Sequence, residues 1–596
     1  MNEKNKSLFS EFPPVTTEQW MERVTADLKG ADFDKKLVWK NLSGINIQPC
    51  YNAENDITPL KNTGENSQSL VNYRSVGVTT AKSGNELALK AVEEGMNGII
   101  FQMKEVVPAA TLLQGIDLNK IAVSFELPTK AVDFVADLVA VAKGKDLKGY
   151  IDTGIFSDYV TTGSFDGQHV EVAAELVKLT AEFPDFKAIT VSGTEYLDSG
   201  ANQVQEIAYT LNSLVFLIDK LTEKGVGAEA VFNNLNVKLA IGLEYFIEIG
   251  KFRAFNSLLA EVADKFGVAD IAKTVTAKTS IWSKSITDAH TNMLRATTEA
   301  MSAILGNVDG IIVDPYDKEF KEPSEFSNRI AGNITTILRE ESYFGKVTNP
   351  VDGSYYVEEV TSKIAEKALE LFKSIEADGG FYTAFEKEAI QQQIAEIRLQ
   401  KLKLISQRRL PLVGVNKYPN LMETVASDLL SRGLEDNPKV LVPRRASLEI
   451  EAMRRKTEEL VAETKVRPIV QLASYGNLTM RKARAAFAYD FIGVSGFDVH
   501  QEESFESAQV AATESAKSDS HIVVICSSDQ DYDETALNFI KAFRAITTSK
   551  VLLLAGAPKN MDELTEAGLD GIVNMRTDVL VTLSSIQEKV QKTLKS

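Results

Sequence analysis

The 596-residue sequence predicts an α/β protein built as a TIM-type (β/α)8 barrel followed by a flavodoxin-like, doubly wound domain, with an arm in front. Three observations predict it. Between about Ser75 and Gly380 short apolar runs alternate with amphipathic stretches in seven or eight units, which favours a closed barrel over an open sheet. The final stretch, about 130 residues, repeats the alternation five times, as an open parallel sheet with helices on both faces would. The length also exceeds what a single core serves.

The first segment, 1–45, carries two short helical patterns, around 17–29 and 32–39. They are too little for a core, so an arm that packs on another domain or subunit is expected. In 46–410, strands are predicted at 98–101, 121–125, 147–151, 186–192, 237–241, 279–282 and 310–313. The helices between them are predicted at 81–94, 170–182, 202–223, 243–266, 289–305 and 326–342. Their apolar residues fall at i, i+3, i+4 and i+7, as they also do in 366–375. A long polar helix, 384–409, leads to a linker at 411–465 that holds Pro419, Pro438 and Pro443. The linker's basic run Arg454-Arg455-Lys456 is read as a solvated helix face rather than a phosphate site. In 466–596, strands are expected at 468–473, 497–499, 522–526, 551–555 and 571–574, with the ligand mouth at their carboxyl ends.

Composition excludes several classes. A net charge of −18 argues against nucleic acid, which needs a basic surface. The opening residues lack the apolar core of a signal peptide, and no apolar run approaches the roughly 20 residues that cross a bilayer. With two distant cysteines, Cys50 and Cys526, a reducing, cytoplasmic setting is expected, with Cys526 a small buried hydrophobe in its strand. The four histidines, His169, His290, His500 and His521, offer no zinc spacing, and none falls between 290 and 500.

Several stretches resemble the methylmalonyl-CoA mutase family, in its branch of small (β) subunits of bacterial heterodimeric enzymes. They are Phe12-Pro13 with 35–49, where Trp39 precedes Gly44-Ile-Asn-Ile-Gln-Pro49; Asn292–Ile304; and Asn349-Pro-Val-Asp-Gly-Ser-Tyr-Tyr-Val-Glu358, similar to the family's Asp-Pro-Leu-Gly-Gly-Ser-Tyr-Tyr-Val-Glu. The stretches 364–380 and Val413–Tyr418 fit as well, so the resemblance spans essentially the whole chain. It implies that adenosylcobalamin lies between the barrel and a cobalamin-binding-type C-terminal domain. There the cofactor supplies a radical, and the carbonyl-CoA group migrates between methylmalonyl-CoA and succinyl-CoA.

The resemblance also implies that this chain has lost the family's reactive positions. Catalytic members carry Asp-x-His-x-x-Gly in the first βα loop of the last domain, the His ligating cobalt and the Asp orienting it. Counting back from Gly496-Phe-Asp-Val499 places Thr479, Arg481 and Arg484 there, and a guanidinium has no lone pair for a metal. Arg481 is read as a solvated helix-start residue. The family's Ser-x-Leu meets Ser527-Ser528-Asp529, and its Gly-Gly meets Ala555-Gly556.

In the barrel, the family's Tyr-His pair after Ser-Gly meets Thr194 and Glu195, and a glutamate would repel charge developing on the thioester oxygen. The active-site Tyr meets Ser75, and the Thr-Ile-Gln-Asn-Asp stretch has no counterpart within 152–168. His169 and His290 are read as cap or packing residues, and His500 and His521 as strand-flanking, with no residue expected to hold a metal. The expectation is a non-catalytic small subunit, with adenosylcobalamin bound by a catalytic large-subunit partner and none on this chain, and no membrane or nucleic-acid partner. Two alternatives are a catalytic mutase with unusual cobalt coordination, with Arg444 and Arg445 near CoA phosphates, and a regulatory ligand-binding module at Thr479–Arg481 and Asp529.

Overall fold

The computed structural model describes residues 15–61, 70–127, 131–424 and 437–595. Phe12-Pro13 of the arm lies outside the described residues. The described arm starts with helix Thr17–Asp27, closed by a Thr16 capping box and burying none of its residues. A hairpin of β1 (Trp39–Lys40) and β2 (Asn46–Ile47) then docks on the barrel. Ile45 and Ile47 enter the main core, and the Asn202 amide donates to the Leu42 carbonyl at 2.8 Å.

Nine parallel segments form the large sheet: β3 (Val71–Val78), β4 (Gly98–Met103), β5 (Ala122–Glu126), β6 (Gly149–Asp152), β7 (Phe186–Lys187), β8 (Ile189–Ser192), β9 (Leu235–Ile241), β10 (Thr274–Thr279) and β11 (Gly310–Ile312). Only Ala188 separates β7 from β8, so 186–192 acts as one strand. It pairs with β6 through Phe186 and with β9 through Ile189, which closes eight strand positions into a barrel.

Three local readings are corrected. The first strand, Val71–Val78, is not among the predicted strands, because its Asn72 and Arg74, which donate to the Gly332 carbonyl and to Glu94, interrupt the apolar pattern. The strand expected at 279–282 lies at Thr274–Thr279; Ile281 and Trp282 are apolar but belong to a turn whose Ile281 N–H donates to Asp198 at 3.0 Å. The helix expected at 384–409 is two helices, Gly380–Glu386 and Ala389–Ser406, parted where Glu388 takes a φ of 61°.

Inward-facing residues fill the barrel in layers. Tyr73 and Tyr150 meet edge to face at 5.7 Å and pack with Ile100, Ala122 and Ile312. Gly98 and Gly310 make room for the Tyr73 ring: a Cβ on either would stand 2.5 and 2.7 Å from it. The lower barrel is a packed core.

In the linker, helix Leu448–Thr464 carries the basic run. Arg454 is not on a solvated face: it is 1% exposed and donates to the Asn420 and Glu423 carbonyls at 2.8 and 2.9 Å. Those acceptors satisfy a charge that the run itself gave no reason to bury.

The second sheet comprises β12 (Ile469–Ser474), β13 (Asp498–Ser504), β14 (Ile522–Cys526), β15 (Val551–Ala555) and β16 (Gly571–Val573), all parallel in the order β13-β12-β14-β15-β16. Five helices alternate with them, from Leu478–Gly493 to Val579–Lys595. The order reverses beside β12, which sets the crevice between the ends of β12 and β14. Cys526 is fully buried in β14. Among the described residues no helix is long and apolar enough to cross a membrane.

Candidate functional site

Two strand-end mouths hold the residues singled out above. At the barrel mouth, inward positions near the carboxyl ends carry Gln102, Glu126, Asp152, Ser192, Lys238 and Lys278. Lys238 Nζ lies 2.6 Å from Asp152 and 2.9 Å from Glu126, and the Gln102 amide donates to Glu126 at 2.7 Å. Burial pushes the Glu126 carboxyl up, but the Lys238 and Lys278 ammonium groups outweigh it and hold the carboxyl well below the usual range. Lys278 is itself held charged above its ordinary value, chiefly by Asp314.

Thr194 and Glu195 open the short helix Thr194–Asp198 directly after β8. The Ser192 hydroxyl donates to Glu195 at 2.7 Å and lies 2.8 Å from the Thr194 hydroxyl. Both residues line a cavity of about 1010 Å³ with Glu126, Asp152, Asp158, Lys238 and Lys278. Ser75 lies in a neighbouring cavity of about 530 Å³, beside Arg74 and Lys318, with Gly77 and Gln102 on the wall between the two. The structure thus unites Thr194 and Glu195 and sets Ser75 apart.

Sequence reasoning missed the Glu126–Lys238–Asp152 network. Its signal was available: one charged residue at an inward position of each of three otherwise uncharged strands.

At the second mouth, Asp531 ties the loop after β12 to the loop after β14. Its carboxylate accepts from the Asn477 N–H at 3.1 Å and the Ser527 and Ser528 hydroxyls at 2.7 and 2.6 Å. Burial raises this carboxyl, but the Ser528, Ser527 and backbone hydrogen bonds bring it down to about 2. Thr479 is exposed on the first turn of helix Leu478–Gly493. Arg481 is not freely solvated, because the edge strand supplies it with Glu502 at 3.4 Å, and its side chain is 18% exposed. Arg484 pairs with Asp529 at 2.7 Å and lies over the Tyr532 ring at 4.9 Å. Ala555 is buried at the end of β15, and Gly556 follows it against Arg484.

The remaining candidates have local partners. Arg444 pairs with Glu449, and Arg445 with Glu451 at 2.9 Å and Glu319 at 3.2 Å. His290 stacks near Tyr316 at 5.1 Å, and His169 sits in the first turn of helix Gln168–Leu179. His521 accepts from the Ile469 N–H at 3.1 Å at the entry end of β14, and burial lowers its pKa. His500, on the edge strand, lies 3.4 Å from Asp498.

The family model for methylmalonyl-CoA mutase matches residues 79–493. The chain is similar to the methylmalonyl-CoA mutase small subunit of Porphyromonas gingivalis, at 34% identity over 99% of each chain. It is 29% identical to the small subunit of Streptomyces virginiae over 95% of this chain and 96% of that one. Against the small subunit of Propionibacterium freudenreichii subsp. shermanii the identity is 26%, over 97% and 95%.

Proposed function

The chain belongs to the methylmalonyl-CoA mutase family, and we propose that within it this chain is the non-catalytic small subunit of a cytoplasmic heterodimer. In this reading a large subunit binds adenosylcobalamin and interconverts methylmalonyl-CoA and succinyl-CoA, and the present chain keeps that partner's fold and cavity ordered.

The observation that carries the reading is the state of the loop after β12. Where a cobalt-ligating imidazole would stand is the guanidinium of Arg481, permanently protonated and engaged by Glu502, and one turn further on Arg484 is engaged by Asp529. These residues do not fit a corrinoid. The barrel mouth supports the same reading. Glu195 faces the cavity with its carboxylate held by Ser192, and a thioester oxygen gaining negative charge there would meet an acid. The arm helix Thr17–Asp27 has no fully buried residue on this chain, which suits a segment that covers a partner. For a catalytic reading, Arg444 and Arg445 would have to leave Glu449, Glu451 and Glu319 to reach CoA phosphates.

The test is to express the chain alone and together with a catalytic mutase subunit, then measure turnover and bound corrinoid in each preparation. The expected result is a colourless, inactive chain alone and an active, coloured complex. Red, turnover-competent protein from this chain alone overturns the proposal.

A further inference from the structure

We infer that the crevice at the carboxyl end of the second sheet is filled by its own side chains, and that Arg484 and Asp529 are a removable plug standing where a flat heteroaromatic group would lie. The inference rests on the proposed role of this chain and deepens it by naming the groups that occupy the cleft.

The crevice opens where the strand order reverses, between the ends of β12 and β14, and extends under the end of β15. Its floor is Tyr532, fixed from three sides. The phenol oxygen donates toward the Ala555 and Ile525 carbonyls at 2.8 and 3.1 Å and accepts from the Ser527 N–H at 2.7 Å. On that ring lies the Arg484 guanidinium, 4.9 Å from its centroid.

The fit against the opposite wall is tight. A Cβ on Gly556 would stand 2.8 Å from Arg484 Nη1 and 2.9 Å from Tyr532 Cε2. Arg484 Nη1 is buried and has no hydrogen-bond acceptor. That half of the group fills space between an aromatic face and a glycine, the setting a planar ring would take. Asp529 closes the arrangement from outside: its side chain is 68% exposed, whereas that of Arg484 is 15% exposed.

The pair is not what holds the mouth in shape. Asp531 already staples the two loops through Asn477, Ser527 and Ser528, and Tyr532 ties β14 to β15. Taking out Arg484 and Asp529 leaves every one of those bonds. Ser528 still caps helix Asp529–Arg544, and alanine suits both helical positions. The vacated space is bounded by Tyr532, Gly556 and the first turns of helices Leu478–Gly493 and Asp529–Arg544.

The experiment compares the full-length chain with its Arg484→Ala/Asp529→Ala variant. Equilibrium dialysis against 5,6-dimethylbenzimidazole and against adenosine reads the cleft, and hydroxocobalamin is dialysed in parallel. We expect the double variant to keep its circular dichroism and to bind at least one of the two heteroaromatics tenfold or more tightly than the unaltered chain. A folded variant that binds no better overturns the plug. So does failure of both this variant and Arg484→Ala alone to fold, because the pair would then be a structural staple. Uptake of hydroxocobalamin by the unaltered chain overturns the functional reading as well, whereas an unresponsive variant beside a refusing parent overturns the plug alone.

Discussion

Lys238 on β9 and Asp152 on β6 lie 2.6 Å apart across the barrel, although strand 186–192 runs between their strands. Both side chains are under a tenth exposed, and the same ammonium reaches Glu126 on β5 at 2.9 Å. One cation therefore holds two carboxylates from two other strands. Breaking such a buried arrangement from one side leaves uncompensated charge. Lys238→Met is expected to cost about 3–5 kcal/mol of stability in urea unfolding. Adding Glu126→Gln and Asp152→Asn to it should recover part of the loss. A single variant as stable as the parent would show that the bridge contributes nothing.

Arg454 gives a second stability prediction. Its guanidinium satisfies two carbonyls of the 420–424 segment, and its stem lies against Gly496, where an added Cβ would be 3.7 Å from its Nε. Arg454→Ala removes the packing as well as the bonds and is expected to lose about 2–5 kcal/mol. Arg454→Met keeps much of the volume and should lose less, about 1–3 kcal/mol, mostly from the orphaned carbonyls. Chemical denaturation orders the two, and equal losses would mean that packing counts for nothing here.

The parallel strands were legible because burial on both faces makes them read as runs of Val, Ile and Leu; β14 and β15 are buried throughout. Edge position hid the rest of β13, whose His500-Gln-Glu-Glu-Ser504 is mostly exposed and carries no apolar residue. That the loop after β12 holds no imidazole was visible in its residues. The Arg484–Asp529 pair was not, since the two residues are 45 positions apart and only the fold makes them partners. The burial of Arg454 was hidden for the same reason, because its acceptors lie 31 and 34 positions upstream.

The two cysteines should separate cleanly by reactivity. Cys50 is exposed, whereas Cys526 is fully buried in β14 and burial pushes its thiol pKa up. A thiolate is the reacting species, so both access and ionisation protect Cys526. Titration with Ellman's reagent is expected to find one fast thiol in the native protein and a second only after denaturation. Two fast thiols in the folded chain would contradict the burial of β14.

Asp198 contributes to the pH dependence of stability, alongside Glu206, whose carboxyl is also pushed up to about 7 by burial. Burial pushes the Asp198 carboxyl up to about 7; the Ser280 hydroxyl and Lys278 pull it down without prevailing, and Glu195 adds to the rise. A carboxyl raised on folding binds a proton in the native chain that the unfolded chain has already released. Its contribution is therefore complete below about pH 4, the unfolded value, and is lost as the pH rises through about 7. Asparagine at this position can still accept from the Ser280 hydroxyl and the Ile281 N–H, which both reach Asp198 Oδ1, and it carries no charge to desolvate. Asp198→Asn is thus expected to lessen the fall in stability between pH 4 and pH 7 and to gain on the parent above pH 7, by about a few kcal/mol at most. Urea midpoints at pH 5, 6, 7 and 8 test it. Parallel profiles for the two proteins would mean that Asp198 is ionised in the folded chain throughout.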